Sequence, residues 1–154
     1  MVAIKRCLTD ADFSHAIQLT NDYLAWLDID LSFQDIEREL SDFPSMYGPP
    51  SGLFLLAWDG DELAGGIGLR RLTLEICEMK RLFVYDPFQR KGVGRKLCSA
   101  LIREAKNMGY RKMRLDTLAH MRAAIRLYES MGFGEIGPYR FNPEPTATYM
   151  ELHL

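Results

Sequence analysis

The sequence predicts a mixed α/β (α+β) fold: one twisted sheet of six or seven strands, parallel at its centre and antiparallel on both sides, flanked by four helices. Three observations carry this. Leu53 to Trp58 and Glu62 to Leu69 flank Asp59-Gly60-Asp61, and Asp-Gly between two apolar runs is a strong short-range hairpin signal. Beyond the hairpin, strand-like and helix-like segments alternate, which calls for a crossover connection and a parallel pair. Two further strand-like runs close the chain, around the Pro-rich turn at Asn142-Pro-Glu-Pro145.

In chain order, Val2 to Leu8 is a short apolar run suited to an edge strand. Thr9 followed by Asp12 marks a capped helix start, and Phe13, Ala16, Ile17, Leu19 and Tyr23 recur at helical spacing to about Trp26. Ser32 with Asp35 opens a second helix, with Phe33, Ile36 and Leu40 on its apolar face, which Pro44 should end. Ser45 to Gly52 is turn-rich, a lid or a wall for something bound nearby. Leu72 to Ile76 reads as a strand or part of a loop, and Met79 to Tyr85 as a central strand. Val93, Leu97, Ala100, Leu101, Ala105 and Met108 trace a helix that Gly109 stops, and Lys112 to Asp116 a strand. Met121 to Met131 forms the last helix, closed by Gly132, before strands at Phe133 to Ile136 and Thr148 to Leu154.

Composition narrows the function classes. The chain has 154 residues, 47% of them hydrophobic, which suits a single domain over 1–154. Its formal net charge is −2, so no whole-molecule electrostatic argument favours nucleic acid or an anionic membrane as partner. Three cysteines without CxxC spacing, at positions 7, 77 and 98, predict reduced core residues, no disulfide scaffold, and a cytoplasmic protein. His15, His120 and His153 are too far apart in sequence to suggest a metal site.

The most informative stretch is Gln89-Arg-Lys-Gly-Val-Gly94, placed after a strand and before a helix. A helix start offers unpaired amides and a partial positive end, glycines allow close backbone approach, and Arg90, Lys91 and Arg95 add charge. This is chemistry for phosphate. Neither the GxxxxGK[ST] loop nor the GxGxxG dinucleotide fingerprint is present. By itself the stretch is also compatible with a glycine-rich turn beside a solvated charged face.

Together with the preceding Glu78-Met-Lys-Arg-Leu-Phe-Val84 and the following Leu127-Tyr-Glu-Ser-Met-Gly-Phe133, this stretch resembles the GCN5-related N-acetyltransferase (GNAT) superfamily. The resemblance implies a GNAT-like acyl-CoA N-acyltransferase fold with acetyl-CoA as co-substrate and no metal. It places the pantetheine arm against the backbone of Leu82, Phe83 and Val84, and the pyrophosphate on Gln89, Arg90, Lys91, Gly92, Val93, Gly94 and Arg95. It implies direct acetyl transfer to a primary amine of a small molecule, peptide or protein, with no nucleic acid or membrane partner, and is compatible with a homodimer.

Two residues receive catalytic roles from the resemblance. From periodicity alone Tyr128 is a half-buried aromatic; the family pattern makes it the acid that reprotonates the leaving thiolate. Glu78 lies eleven positions before Gln89, where histone-type relatives carry the general base. A base is needed because an ordinary amine of pKa about 10 is almost wholly protonated at neutral pH. From the residues alone Glu78 is a solvated strand-end carboxylate, and Asp116 is an alternative base or a turn cap. Relatives commonly carry asparagine seven positions before the tyrosine, where this chain has Met121. Tyr23, Trp26, Tyr47, Asp28, Asp30, Asp35 and Tyr139 to Pro145 are expected on the acceptor side. The rival readings are a non-catalytic acyl-CoA-binding or regulatory module and a purely structural dimeric domain.

Overall fold

Along the chain come β1 (Val2–Arg6), α1 (Asp10–Leu27), α2 (Ile36–Ser41), α3 (Phe43–Met46), β2 (Leu53–Asp59), β3 (Glu62–Arg71) and β4 (Ile76–Val84). A single 3-10 turn (Asp86–Phe88) leads to α4 (Val93–Asn107), β5 (Lys112–Leu118), α5 (Arg122–Ser130), β6 (Gly134–Ile136) and β7 (Ala147–His153). The computed structural model describes residues 1–27 and 35–154. Ser32, Phe33, Asp28 and Asp30, named above as a helix start and an acceptor wall, lie outside the described residues.

All seven strands form one sheet in the order β1-β2-β3-β4-β5-β7-β6. The pairs β1/β2, β2/β3 and β3/β4 are antiparallel, β4/β5 is parallel across α4, and β7 is inserted antiparallel between β5 and β6. The hairpin turns at Gly60, whose φ of +61° is the left-handed conformation that such a turn requires.

Both faces of the sheet are covered, so β2 reads as the continuous apolar run LFLLAW. Leu53 and Leu55 pack into the layer under α4 and α5, while Phe54 and Leu56 join Phe13, Leu19, Phe43 and Tyr47 on the α1 to α3 side. Glycines interrupt β3 for steric reasons: a Cβ at Gly65 would come 2.6 Å from the Phe83 carbonyl oxygen, and one at Gly68 would come 2.7 Å from the Tyr47 ring. At α1 the capping expectation holds. The Asp12 amide donates to Thr9 Oγ1 at 3.1 Å, and the Thr9 amide donates to Asp12 Oδ2 at 3.0 Å.

The local boundaries refine the sequence reading. The second helix does stop before Pro44, at Ser41, and Pro44 itself sits in the first turn of a further short helix, α3, where a residue needs no amide hydrogen. Residues Leu72 and Thr73 turn back on Ile76, both amides donating to its carbonyl, so 72–76 is a tight turn and β4 starts earlier than Met79. The segment after α3 is a wall and not a lid: the Tyr110 hydroxyl donates to the Ser51 carbonyl at 2.5 Å and ties the loop to the body. No helix among the described residues is long and apolar enough to cross a membrane.

Candidate active site

The central parallel pair is joined over a short distance only. β4 and β5 are in register at Ile76↔Lys112, Cys77↔Met113 and Glu78↔Arg114, and beyond that β4 runs on to Val84 and β5 to Leu118 unpaired with each other. The cause lies in β4 itself. Arg81 has φ of +59°, and the β3/β4 register skips between Gly66 and Gly68, the signature of a bulge that bends the strand away. The edge of β4 facing β5 is left without a ladder partner, and a cleft opens there. Met79, Lys80 and Leu82 line one wall and Leu115, Asp116 and Leu118 the other, with Tyr23 above and Tyr128 at its inner end.

At the far end of β4 the chain enters the phosphate-type stretch. Gly92 is the N-cap of α4 at φ +79°, and no side chain caps that helix. Arg90 is also left-handed, at φ +63°. The helix start therefore presents its amides without a competing protein acceptor from a cap. Gly94 is more telling. Its conformation is helical and its φ demands no glycine, while an added Cβ would meet Leu127 Cδ2 at 3.5 Å and Val84 Cγ2 at 4.0 Å, ordinary contacts. Nothing in the surrounding packing requires glycine there. Gln89 ties this turn to the strand, its Nε2 donating to the Val84 carbonyl at 2.9 Å.

Arg95 is placed differently from the expectation. Its guanidinium donates to Ser130 Oγ at 3.0 Å, holding α4 to the end of α5, so its side chain is committed before any anion arrives. Lys91 lies over the Phe88 ring at 5.9 Å, and Arg90 and Lys91 are exposed beside the helix start.

Glu78 is on the expected strand in an unexpected environment: it is fully buried and its side chain does not line the cleft. Arg70 Nε donates to Oε1 at 2.8 Å, Lys80 Nζ lies 3.7 Å from the same oxygen, and Oε2 accepts from the Tyr139 hydroxyl at 2.6 Å and from Arg140 Nη2. Burial by itself would raise this carboxyl. Lys80, Arg140 and Arg70, with the tyrosine hydroxyl, more than reverse that and hold its pKa down at about 2. The solvated carboxylate that the residues alone suggested is thus corrected. Beside it Arg81 forms a two-pronged pair with Glu39, at 2.9 and 2.7 Å, and Glu39 also accepts from Tyr47. Tyr47, expected on the acceptor wall, is consequently a fully buried core residue.

Tyr128 packs against Phe133 at 5.9 Å between ring centroids and reaches the cleft from α5. Burial, then the neighbouring Cys98, Tyr23 and Asp116, push its hydroxyl well above the ordinary value, so it keeps its proton at neutral pH. Asp116 faces it across the cleft, with Asn142 Nδ2 3.5 Å from its Oδ2. Sequence reasoning missed Lys80 and Arg70 as site residues, whereas Arg140 and Asn142 fall in the Tyr139 to Pro145 stretch expected on the acceptor side. Lys80 left a signal, sharing the strand face of Glu78 two positions on. Arg70 comes from the neighbouring strand. Met121, the departure from the family pattern, caps α5 and lines the cleft. The cysteines are free and buried, each thiol pushed up to about 12 by burial, which removes Cys77 as a nucleophile. Among the described residues no group of three or more His, Cys, Asp or Glu could hold a metal.

A sheet splayed at its parallel centre, with an open helix start at one end of the gap and a protonated tyrosine at the other, has the architecture of an acyltransferase. The profile of the Acetyltransferase (GNAT) family matches residues 17–133, and the chain belongs to that family. It is similar to an uncharacterised N-acetyltransferase of Schizosaccharomyces pombe, 34% identical over 99% of this chain and 95% of the relative. It is also similar to the ribosomal protein bS18 alanine N-acetyltransferase of Salmonella typhimurium, 32% identical over 80% of this chain and 86% of the relative. Among solved structures, a GNAT family acetyltransferase from Elizabethkingia anophelis with acetyl-CoA bound superposes with a TM-score of 0.72, at 22% identity, over 99% of this chain and 98% of that one.

Proposed function

We propose that this protein transfers the acetyl group of acetyl-CoA to a primary amine. The observation that carries the reading is the cradle at Gly94, an opening at a helix N-terminus that the fold itself does not need, at the end of a gap running between β4 and β5. The residues suit a long ligand with an anionic end. The amides of Gly92 to Arg95 would hold a pyrophosphate, with Arg90 and Lys91 beside it, and the free edge of β4 over Leu82, Phe83 and Val84 would hydrogen-bond an amide-bearing arm. Acetyl-CoA supplies an activated thioester when bound.

The chain's own part is proton handling and positioning. Tyr128 holds a proton at the inner end of the cleft and is the group to deliver it to the leaving thiolate. A carboxyl held at pKa about 2 is a weak base, so Glu78 is read as the organiser of the cation cluster around it. Asp116, open to the cleft, takes the amine proton directly or through a water. Asn142 stands in for the asparagine that relatives place where Met121 lies. The buried Glu78 favours the second reading, a silent acyl-CoA-binding module; Asp116 in the cleft argues against it.

Single-turnover acetylation of a verified amine by Tyr128→Phe tests the proposal. The ring still packs, so CoA affinity persists, and the transfer step is expected to slow by ~10²–10⁴-fold. A variant that matches the parent at every pH makes Tyr128 a packing residue and sinks its role as the acid.

A further inference from the structure

The charges around Glu78 do not balance. Arg70, Lys80 and Arg140 converge on this single carboxylate, while the neighbouring Arg81 is matched by Glu39. Asp116 and Glu144 line the same cleft, but among the described residues neither forms an ion pair with any of the three cations. The hydrogen bonds show which cation is left without a close partner. Arg70 and Arg140 take hydrogen bonds to Glu78, and Tyr139 takes another. Lys80 Nζ stays 3.7 Å away, beyond hydrogen-bond length, although the residue is 7% exposed and its side chain lines the cleft. Burial first, then repulsion from Arg81, lowers its pKa to about 8, the mark of an ammonium lacking sufficient counter-charge. A second donor is also left over: Arg140 Nε is buried with no hydrogen-bond partner.

The opposite wall has the other sign. Asp116 and Glu144 line the same cleft as Lys80. A small acceptor crossing it would meet an anionic wall suited to an amine and a cationic wall suited to a carboxylate. Resting on the acetyl-transfer reading above, we propose that the acceptor is an amino acid or a similar small molecule with a carboxylate beside its amine, and that Lys80 is the residue that recognises that carboxylate. Such an anion gives Lys80 the hydrogen-bonded partner it lacks, and a buried site built for a charge rejects an uncharged isostere, which leaves the charge unpaired. The same argument disfavours polypeptide amines, whose neighbouring carbonyl is an amide.

The test compares free L-amino acids with their C-terminal amides, an alanyl peptide, and the carboxylate-free amines tyramine and putrescine, following CoA thiol release with acetyl-CoA. The parent is expected to favour the best amino acid over its amide by on the order of 10²-fold in kcat/KM, the loss typical of unpairing a buried charge. In Lys80→Met that ratio should fall toward one, and Lys80→Arg should recover part of it. Lys80→Gln replaces Lys80→Met should the latter not fold, folding being judged by a CoA-dependent melting shift. Equal use of acid and amide by the parent, a preference that survives loss of Lys80, or better turnover of the alanyl peptide, tyramine or putrescine overturns the inference and leaves acetyl transfer standing. A folded, CoA-binding parent that acetylates none of these amines overturns acetyl transfer and the inference together.

Discussion

At the scale of single residues, one strand places three charged side chains where a core would ordinarily be apolar. Glu78, Lys80 and Arg81 are each nearly or wholly buried, and each is bound into ion pairs that draw in Glu39, Arg70 and Arg140. Removing one member of such a group exposes the cost of the rest. Glu78→Gln leaves three cations around a neutral amide and should lower stability by about 3–5 kcal/mol, read from urea unfolding at neutral pH. The pH dependence has a definite sign. The folded pKa lies below the ordinary 4.5, so the carboxylate's stabilisation is complete above that value and is lost as pH falls toward about 2. The stability gap between parent and Glu78→Gln should close over that window in an acid titration followed by circular dichroism. A gap that stayed constant with pH would mean that Glu78 stabilises by packing and not by charge.

At the scale of elements, α4 combines two demands that conflict at Gly94. Glycine costs up to about 1 kcal/mol relative to alanine in a helix interior and less in the first turn, where Gly94 lies, and the surroundings of Gly94 would accept the methyl group. Gly94→Ala should therefore raise the melting temperature while weakening CoA binding at least tenfold by calorimetric titration, because the methyl fills the space reserved for the ligand. Unchanged affinity would move the pyrophosphate site elsewhere. Arg90→Ala, by contrast, should weaken CoA while sparing phosphate-free pantetheine, since its side chain is exposed beside the helix start and remote from the strand edge. Equal losses for both ligands would remove Arg90 from phosphate recognition.

The whole molecule is two cores divided by one sheet, with the division incomplete where β4 leaves β5. Leu, Met and Cys side chains form the layer under α4, Phe13, Phe43, Tyr47 and Phe54 an aromatic cluster beneath α1, and β4 and β5 pair across the sheet only from Ile76 to Glu78. A bound ligand completes what the sheet leaves open. Adding CoA should slow hydrogen exchange at residues 82–84 and 90–95 and leave the hairpin turn at Asp59 to Glu62 unaffected. Protection spread evenly over the chain would point to general stabilisation in place of binding in this cleft.

The sequence by itself determined the element order apart from the short α3, the parallel pair at the centre, the glycine-containing turn from β4 into α4 and the helix that carries Tyr128, because these rest on local periodicity, turn chemistry and short motifs. Tertiary structure alone decided the environment of Glu78. Its partners are Lys80 two positions along β4, Arg70 eight positions away on β3, and Tyr139 and Arg140 61 and 62 positions away in the loop before β7, and no local pattern encodes that the last three meet it. The same holds for Arg95, which sequence reasoning gave to phosphate and the packing of α4 on α5 gives to Ser130. A backbone amide at a helix start points where the helix dictates, whereas a long charged side chain points where its partner is, and the partner is known only when the chain has folded.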